Sequence, residues 1–149
     1  MILLHAQEPE PLTVRTAQLE RDLDDILAIW AGAGPGIQLS PSDQPEEIRK
    51  KVEHDADLFL VYEEDGNIMG VVLGGYDGRR GIVYHLAVPQ EFRRKGIGAA
   101  LMMELEKRLR AKGCYKYYLL VTPDNEGALA FYEELGCERM DLLVLGKVL

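Results

Sequence analysis

The segment at residues 88–100 carries the residue types best suited to chemistry, because it could bind a phosphate. It reads VPQEFRRKGIGAA and joins an apolar run to the start of an amphipathic pattern. A helix start leaves backbone N–H groups unpaired and carries a partial positive charge, so it attracts anions. Gly96 and Gly98 would let a diphosphate approach the backbone. The neighbouring cations are Arg93, Arg94 and Lys95. A basic helix start with purely structural glycines is the alternative interpretation.

This loop matches neither of the two best-known nucleotide-binding patterns. No Gly-Lys-Ser or Gly-Lys-Thr follows it, which excludes a Walker A loop. It also lacks the third glycine and the downstream acidic residue of the Rossmann fingerprint. The sequence therefore predicts a phosphate-bearing ligand of another kind.

Two stretches resemble motifs of the GNAT acetyltransferases. The run Arg93-Arg94-Lys95-Gly96-Ile97-Gly98 is similar to the Q/R-x-x-G-x-G/A loop that cradles the pyrophosphate of acetyl-coenzyme A in that family. Residues 125–137 resemble its N-x-x-A-x-x-F-Y-x-x-x-G-F segment, with Cys137 where an aromatic residue is usual. The resemblance covers almost the whole chain after Leu12. Within the family, residues 51–78 resemble the small bacterial YpeA-like acetyltransferases.

The resemblance implies a fold, an activity and a set of cofactor contacts. The fold would be α/β (α+β), with a mixed, mostly antiparallel central sheet flanked by about four helices. The activity would be acetyl-CoA-dependent N-acetyl transfer to a primary amine. Direct attack in a ternary complex is expected, since neither motif contains a cysteine placed to form an acetyl-enzyme. The implied contacts to acetyl-CoA are Leu86, Ala87 and Val88 through their backbone, the loop residues Arg93, Arg94, Lys95, Gly96, Ile97, Gly98 and Ala99, and Asn125.

Tyr132 is the predicted proton donor. A departing coenzyme A thiolate needs a proton, and a tyrosine with an ordinary pKa near 10 still holds one at neutral pH. Tyr132 also matches the tyrosine of the family motif. A core tyrosine beside Phe131 and Leu135 is the alternative. Asn125 is predicted to cap the N-terminus of the helix that it begins, although Asp124 could take the same role. Asn125 could cap the helix and contact the cofactor at the same time.

The general base is harder to assign. An amine with a pKa near 10.4 is neutral in only about one molecule in 2,500 at pH 7, so a base or a dry pocket must supply the free form. Some family members use a glutamate in one of two strands, but residues 82–85 and 118–121 contain no carboxylate. His85 is the predicted catalytic base, since imidazoles accept protons near neutrality. A hydrogen-bonded core histidine, a water chain or Tyr84 are alternatives, and the missing glutamate keeps open a non-catalytic acyl-CoA sensor.

Strands and helices in alternation must position these groups. The patterns predict strands at residues 12–15, 58–62, 68–73, 81–88, 115–121 and 142–149, and helices at 23–31, 46–54, 96–112 and 125–135. Between the second and third strands, Asp65-Gly66-Asn67 predicts a hairpin turn with positive φ at Gly66 and Asn67. The last strand could pair with a second copy or serve a monomer.

Composition limits the remaining possibilities. The chain has 149 residues, 17 Lys+Arg against 25 Asp+Glu, and a net charge of −8. Its length predicts one domain at 12–149 after a lead-in at 1–11. The acidic balance argues against nucleic acid and suits an amine or protein-amine acceptor. Cys114 and Cys137 form no metal motif, so no metal is expected. The sequence predicts no membrane span and a cytoplasmic location.

Overall fold

One mixed sheet organises the part of the chain that the computed structural model describes, which is residues 13–34, 37 and 39–149. Its strands are β1 (Val14–Thr16), β2 (Phe59–Glu64), β3 (Asn67–Tyr76), β4 (Gly81–Ala87) and β5 (Tyr117–Leu119), and they lie in that order. Strands β1 to β4 are antiparallel, and β5 runs parallel to β4. The α-helices are α1 (Leu19–Ala31), α2 (Pro45–Asp55), α3 (Ile97–Ala111) and α4 (Glu126–Glu134). The predicted fold class is confirmed.

The helices cover both faces of the sheet, because the side chains of a strand alternate between its two faces. On one face, Ile26 and Trp30 of α1 and Ile48 of α2 pack against Val61 and Val71 of the strands. The other face is covered by α3 and α4. Its buried side chains include Leu60, Val72, Val83, Leu101, Met102 and Leu105.

A glycine in β3 places the start of α3 close to the sheet. A Cβ built on Gly70 would lie 2.8 Å from Ile97 Cγ2, a distance that real Cβ contacts do not show. Ile97 is the first residue of α3 and is buried. Gly70 thus lets the helix N-terminus lie directly against the middle of the sheet.

A β-bulge in β4 determines which face its side chains occupy. Leu73 pairs with His85, but the next residue, Gly74, pairs with Val83, so Tyr84 is the extra residue. Because of this extra residue, Val83 and Leu86 both pack with the α3 layer, and Ala87 packs with the α1 layer. His85 contacts Trp30 and therefore also lies on the α1 face.

Three sequence predictions differ from the structure. Residues 142–149 form no strand and are exposed throughout. The fifth strand is shorter than predicted, ending at Leu119. In the hairpin turn, the positive φ angles belong to Asp65 and Gly66, at 50° and 78°, and Asn67 already begins β3. The predicted lead-in at 1–11 lies outside the described residues.

Candidate active site

The start of α3 leaves backbone N–H groups without a partner in the helix. Ala100 N–H is the first to bond within the helix, donating to Gly96 O at 3.0 Å, so the three amides before it have no partner in the helix. Gly96 has a φ of 77°, and a Cβ built on it would meet no atom within 4 Å. The first turn carries no acidic residue. This helix start can therefore accept an anion.

The cations of the loop are exposed, and one of them also holds the loop in place. Arg93 Nε donates a hydrogen bond to the carbonyl oxygen of Val88 at 3.0 Å, which ties the loop to the end of β4. Arg94 has a φ of 66°, a left-handed conformation rare for a residue with a side chain. The Lys95 ammonium lies 5.8 Å from the ring centroid of Phe92. All three cations remain available to an anion at the helix start.

The sheet splits next to this loop. Strands β4 and β5 pair only from Gly81↔Tyr117 to Val83↔Leu119, and no described strand pairs with residues 84–87 on that edge. Their free backbone groups can bond a ligand that carries amides. Leu86, Ala87 and Val88, predicted to contact the cofactor, lie along this opening. The unpaired edge of β4 leads along the chain into the loop before α3, so groups able to bond amides and groups able to bond an anion follow one another in sequence.

Tyr132 lies on the α3/α4 side of the split. It packs against the core of that face, and its ring stands edge-on to Phe131 with centroids 5.1 Å apart. Burial and then the negative charge of a Cys137 thiolate raise the pKa of Tyr132 to about 12. The hydroxyl is therefore protonated at neutral pH and can donate its proton.

His85 lies on the opposite face with a carboxylate beside it. Its Nε2 is 2.9 Å from Asp43 Oδ1, and the two side chains are only 14% and 10% exposed. A carboxylate can only accept, so Nε2 donates its hydrogen to Asp43, and in the neutral form of the imidazole the lone pair lies on Nδ1. Asp43 Oδ2 accepts from Ser40 N–H at 2.9 Å, which orients the carboxylate. Trp30 packs edge-on against the imidazole at 5.1 Å.

The structure divides the predicted catalytic residues between the two faces of the sheet. Asn125 begins α4 and its Oδ1 accepts from Ala128 N–H at 3.1 Å, so its capping role is present and its amide N–H groups remain for a ligand. His85 and Tyr132 do not meet. They lie on opposite faces of the sheet, His85 with Trp30 on the α1 face and Tyr132 on the α3/α4 face.

Asp43 is the site residue that sequence reasoning missed. Its local signal was readable, since Ser40 and Asp43 form a capping box around the short 3-10 turn Pro41–Asp43. Its contact with a histidine 42 residues away had no sequence signal. Within residues 13–34, 37 and 39–149, no group of three or more His, Cys, Asp or Glu side chains could hold a metal ion. No helix of this described part has the length and apolarity of a membrane span.

Solved structures share the fold of this chain. Ard1 from Thermoplasma volcanium is 25% identical, with a TM-score of 0.69 over 83% of this chain and 80% of its own. An acetyltransferase from Trypanosoma brucei is 25% identical, with a TM-score of 0.68 over 91% and 98%. The enzyme AAC(6')-Iy, solved with the bisubstrate analogue CoA-S-monomethyl-acetylneamine, shares the fold at 16% identity, with a TM-score of 0.72 over 91% and 96%.

Fold and site together define a mixed α/β protein in which a helix start able to accept an anion lies beside a split sheet. A model of the acetyltransferase (GNAT) family matches residues 23–137, which is most of the chain. The chain therefore belongs to the GNAT acetyltransferase family.

Proposed function

We propose that this protein is an acetyl-CoA-dependent N-acetyltransferase that moves the acetyl group to a primary amine by direct attack in a ternary complex. The observation that carries the proposal is the open, positively charged start of α3 beside the unpaired edge of β4. We further propose that the chain belongs to the YpeA-like branch of the family, on the resemblance of residues 51–78.

The loop would bind the diphosphate of coenzyme A. The amides of Ile97, Gly98 and Ala99 would donate to its oxygens, and the partial positive charge of the helix start would attract it. Arg93, Arg94 and Lys95 would neutralise its charge in a chain whose net charge is −8. Gly96 leaves room for close approach, since no atom lies within 4 Å of its Cβ position.

The free edge of β4 would orient the thioester. Backbone groups of Leu86, Ala87 and Val88 would pair with the pantetheine amides, in the way that a further strand pairs with a sheet edge. A backbone N–H there would also stabilise the oxyanion that develops on the thioester carbonyl. The Asn125 side-chain amide would contact the same arm.

His85 would act as the general base. As the amine nitrogen attacks the thioester carbon, Nδ1 of His85 would accept its proton, and Asp43 would hold the imidazole in the tautomer that leaves Nδ1 free. Both side chains are nearly buried, so their orientation is fixed before the acceptor arrives.

Tyr132 would act as the general acid from the other side of the split. When the tetrahedral intermediate collapses, the C–S bond breaks and the thiolate takes the hydroxyl proton of Tyr132. Its pKa of about 12 keeps the hydroxyl protonated at neutral pH, so it can donate a hydrogen bond to the sulfur as negative charge develops there. A thioester lying in the split between β4 and β5 would pass from one face of the sheet to the other, so a base on one face and an acid on the other could serve it.

The proposal is tested by cofactor binding and thiol release. Acetyl-CoA should raise the melting temperature, and a panel of primary amines should release free coenzyme A thiol. Lys95→Glu should weaken binding of acetyl-CoA. Lys107→Glu makes the same change of charge on the exposed outer face of α3 and should leave binding unchanged. Stabilisation without thiol release from any amine would contradict the enzyme and favour a sensor, and no stabilisation would contradict cofactor binding.

A further inference from the structure

Two exposed cations lie against Tyr118, a residue that the proposed activity does not use. Arg80 Nη1 donates a hydrogen bond to the Tyr118 hydroxyl oxygen, and the guanidinium carbon lies 5.1 Å from the centroid of the ring. The Lys116 ammonium lies 5.2 Å from the same centroid. We refer to Arg80, Lys116 and Tyr118 as the Tyr118 cluster. An aromatic ring with two cations beside it offers a ligand both positive charge and a flat apolar surface.

The charges of the cluster are not neutralised within the described part of the chain. Neither Arg80 nor Lys116 forms an ion pair with a carboxylate of residues 13–34, 37 and 39–149. Asp77, in the turn before β4, accepts the backbone N–H groups of Arg79 and Arg80 at 2.8 and 2.7 Å and so orders this turn. The two cations are a local excess of positive charge in a chain whose net charge is −8. The cluster is therefore suited to a carboxylate, which accepts charge-assisted hydrogen bonds from both groups.

The Tyr118 cluster lies on the same face of the sheet as His85, the proposed base. Tyr118 pairs with Ile82 of β4, so the two side chains share one face. A Cβ built on Gly75 would lie 3.3 Å from Ile82 Cγ2 and 3.4 Å from Lys51 Nζ of α2, so this face is the one that α1 and α2 cover. An acceptor whose amine reaches the proposed base can therefore extend over this face toward the cluster.

The distance between the cluster and the proposed base fits a short peptide. Ile82 and His85 are paired with residues of β3 that are only two positions apart, because the bulge adds Tyr84 to β4. With roughly 3.3 Å per residue along a strand and about 4.8 Å between strands, Tyr118 lies on the order of 10 Å from His85, which an extended peptide covers in about three residues. The Tyr84 side chain is 49% exposed, and its Cε2 lies 3.2 Å from the Cβ position of Gly75, on the same face.

We propose that the acceptor is a peptide with a free N-terminal amine and an acidic side chain about three residues farther along, which the Tyr118 cluster binds. The proposal rests on the proposed function, because the amine must lie at His85. The acidic carboxylate would accept hydrogen bonds from both cations of the cluster, and Tyr84 would contact the peptide between its two ends. Lys51, on the same face, is held in an ion pair with Asp55 and adds no free charge. The cluster would thus select among amines by the charge that follows them.

Peptides that differ only in charge test the proposal through binding and turnover. Suitable pentapeptides with free N-termini and amidated C-termini are Ala-Ala-Glu-Glu-Ala, Ala-Ala-Gln-Gln-Ala and Ala-Ala-Lys-Lys-Ala. Calorimetry with coenzyme A present should show the glutamate peptide binding about three- to tenfold more tightly than the glutamine peptide, as two exposed ion pairs allow. The lysine peptide should bind more weakly than either, and added salt should reduce the differences. With acetyl-CoA, kcat/KM for thiol release should follow the same order.

The outcomes separate this proposal from the proposed function. Equal binding of the three peptides, tightest binding of the lysine peptide, or no detectable binding of the glutamate peptide would overturn the acidic preference. Equal thiol release from all three peptides would overturn it as well and would leave the N-acetyltransferase standing. Preferred binding of the glutamate peptide without thiol release from any amine would retain the acidic site and contradict the enzyme.

Charge reversals locate the preference in the cluster. Lys116→Glu and Arg80→Glu should each abolish the preference for the glutamate peptide over the glutamine peptide. Lys107→Glu makes the same change as Lys116→Glu on the exposed outer face of α3, in the other helix layer, and should keep the parent preference. All three variants should keep the rise in melting temperature that acetyl-CoA gives the parent, which shows that they fold. A preference that is unchanged in both cluster variants would overturn the assignment.

Discussion

Gly98 faces the ring of Phe131 so closely that a Cβ built on Gly98 would lie 3.2 Å from Phe131 Cζ. Phe131 in turn packs edge-on against Tyr132, the proposed acid. The last glycine of the binding loop therefore also sets how near α4 comes to α3. A larger side chain at Gly98 would displace the helix that carries Tyr132.

This contact predicts that two glycines in helices respond oppositely to substitution. Gly98→Val should destabilise the fold by about 1–3 kcal/mol, the usual effect of overpacking a filled site. Gly127→Ala should stabilise it by about 0.5–1 kcal/mol, because Gly127 is also helical but has no atom within 4 Å of its Cβ position. Urea unfolding measures both changes. Equal effects of the two substitutions would contradict the packing role of Gly98.

A second pair of glycines separates backbone strain from cofactor binding. Gly96 and Gly113 lie at opposite ends of α3, with φ of 77° and 87°, and each has open space at its Cβ position. Alanine should cost about 1–2 kcal/mol at either position because the left-handed conformation disfavours a side chain. Only Gly96→Ala should weaken acetyl-CoA, by at least tenfold in calorimetric Kd. The cofactor assignment fails if Gly113→Ala weakens binding equally.

Much of this fold could be predicted from periodicity. The apolar stripe of α3 and the continuous apolar runs of β2 to β4 were readable, because burial leaves an apolar pattern on a helix or a strand. The final strand was predicted for the same reason, but it is not formed. An apolar run indicates that a segment tends to be buried, but it does not indicate which surface covers it. The sequence of residues 142–149 therefore could not show that these residues are exposed in the folded chain.

The site was predictable where function requires a local motif. The positive φ of Gly96 and the start of the helix that follows it depend on consecutive residues, so both could be predicted from the local sequence. The pairing of His85 with Asp43 depends on a bulge at Tyr84 and on a turn 42 residues earlier in the chain. Contacts between residues that are distant in the sequence produce no local sequence motif, so this pairing could not be predicted.

The contact between His85 and Asp43 predicts linked effects on turnover. His85→Gln should lower kcat by about 10²–10⁴-fold, the usual contribution of a general base. Asp43→Ala should lower kcat by up to about 10²-fold, because an imidazole without its partner loses its orientation. Asp43→Asn should retain more activity than Asp43→Ala, since its amide oxygen can still accept from Nε2. Steady-state kinetics and calorimetry check that kcat falls while the Kd for acetyl-CoA is unchanged.

The double variant decides whether Asp43 acts through His85. If it does, His85→Gln combined with Asp43→Ala should be no slower than His85→Gln alone. Multiplied losses would assign the two residues independent roles. Ser42→Ala changes a neighbouring exposed residue of the same turn without touching either oxygen of Asp43, and its kcat should match the parent.

Tyr132→Phe tests the proton donor. We expect kcat to fall about 10²–10⁴-fold with little change in acetyl-CoA affinity, since the ring and its packing remain. Tyr115→Phe, at a residue 97% exposed, is the matched control and should behave like the parent. Turnover of Tyr132→Phe equal to that of the parent would remove Tyr132 from the mechanism.

The raised pKa of Tyr132 also sets a pH dependence whose sign follows from its direction. Folding raises the pKa from about 10 in an unfolded chain to about 12. The stability that Tyr132 contributes is therefore complete below pH 10 and is lost as the pH rises through 12. Unfolding free energies measured from pH 9 to pH 12 should fall more steeply in the parent than in Tyr132→Phe. Because the donor keeps its proton, kcat of the parent should show no half-loss at pH 10, and a loss there would mean that the hydroxyl titrates as if it were exposed.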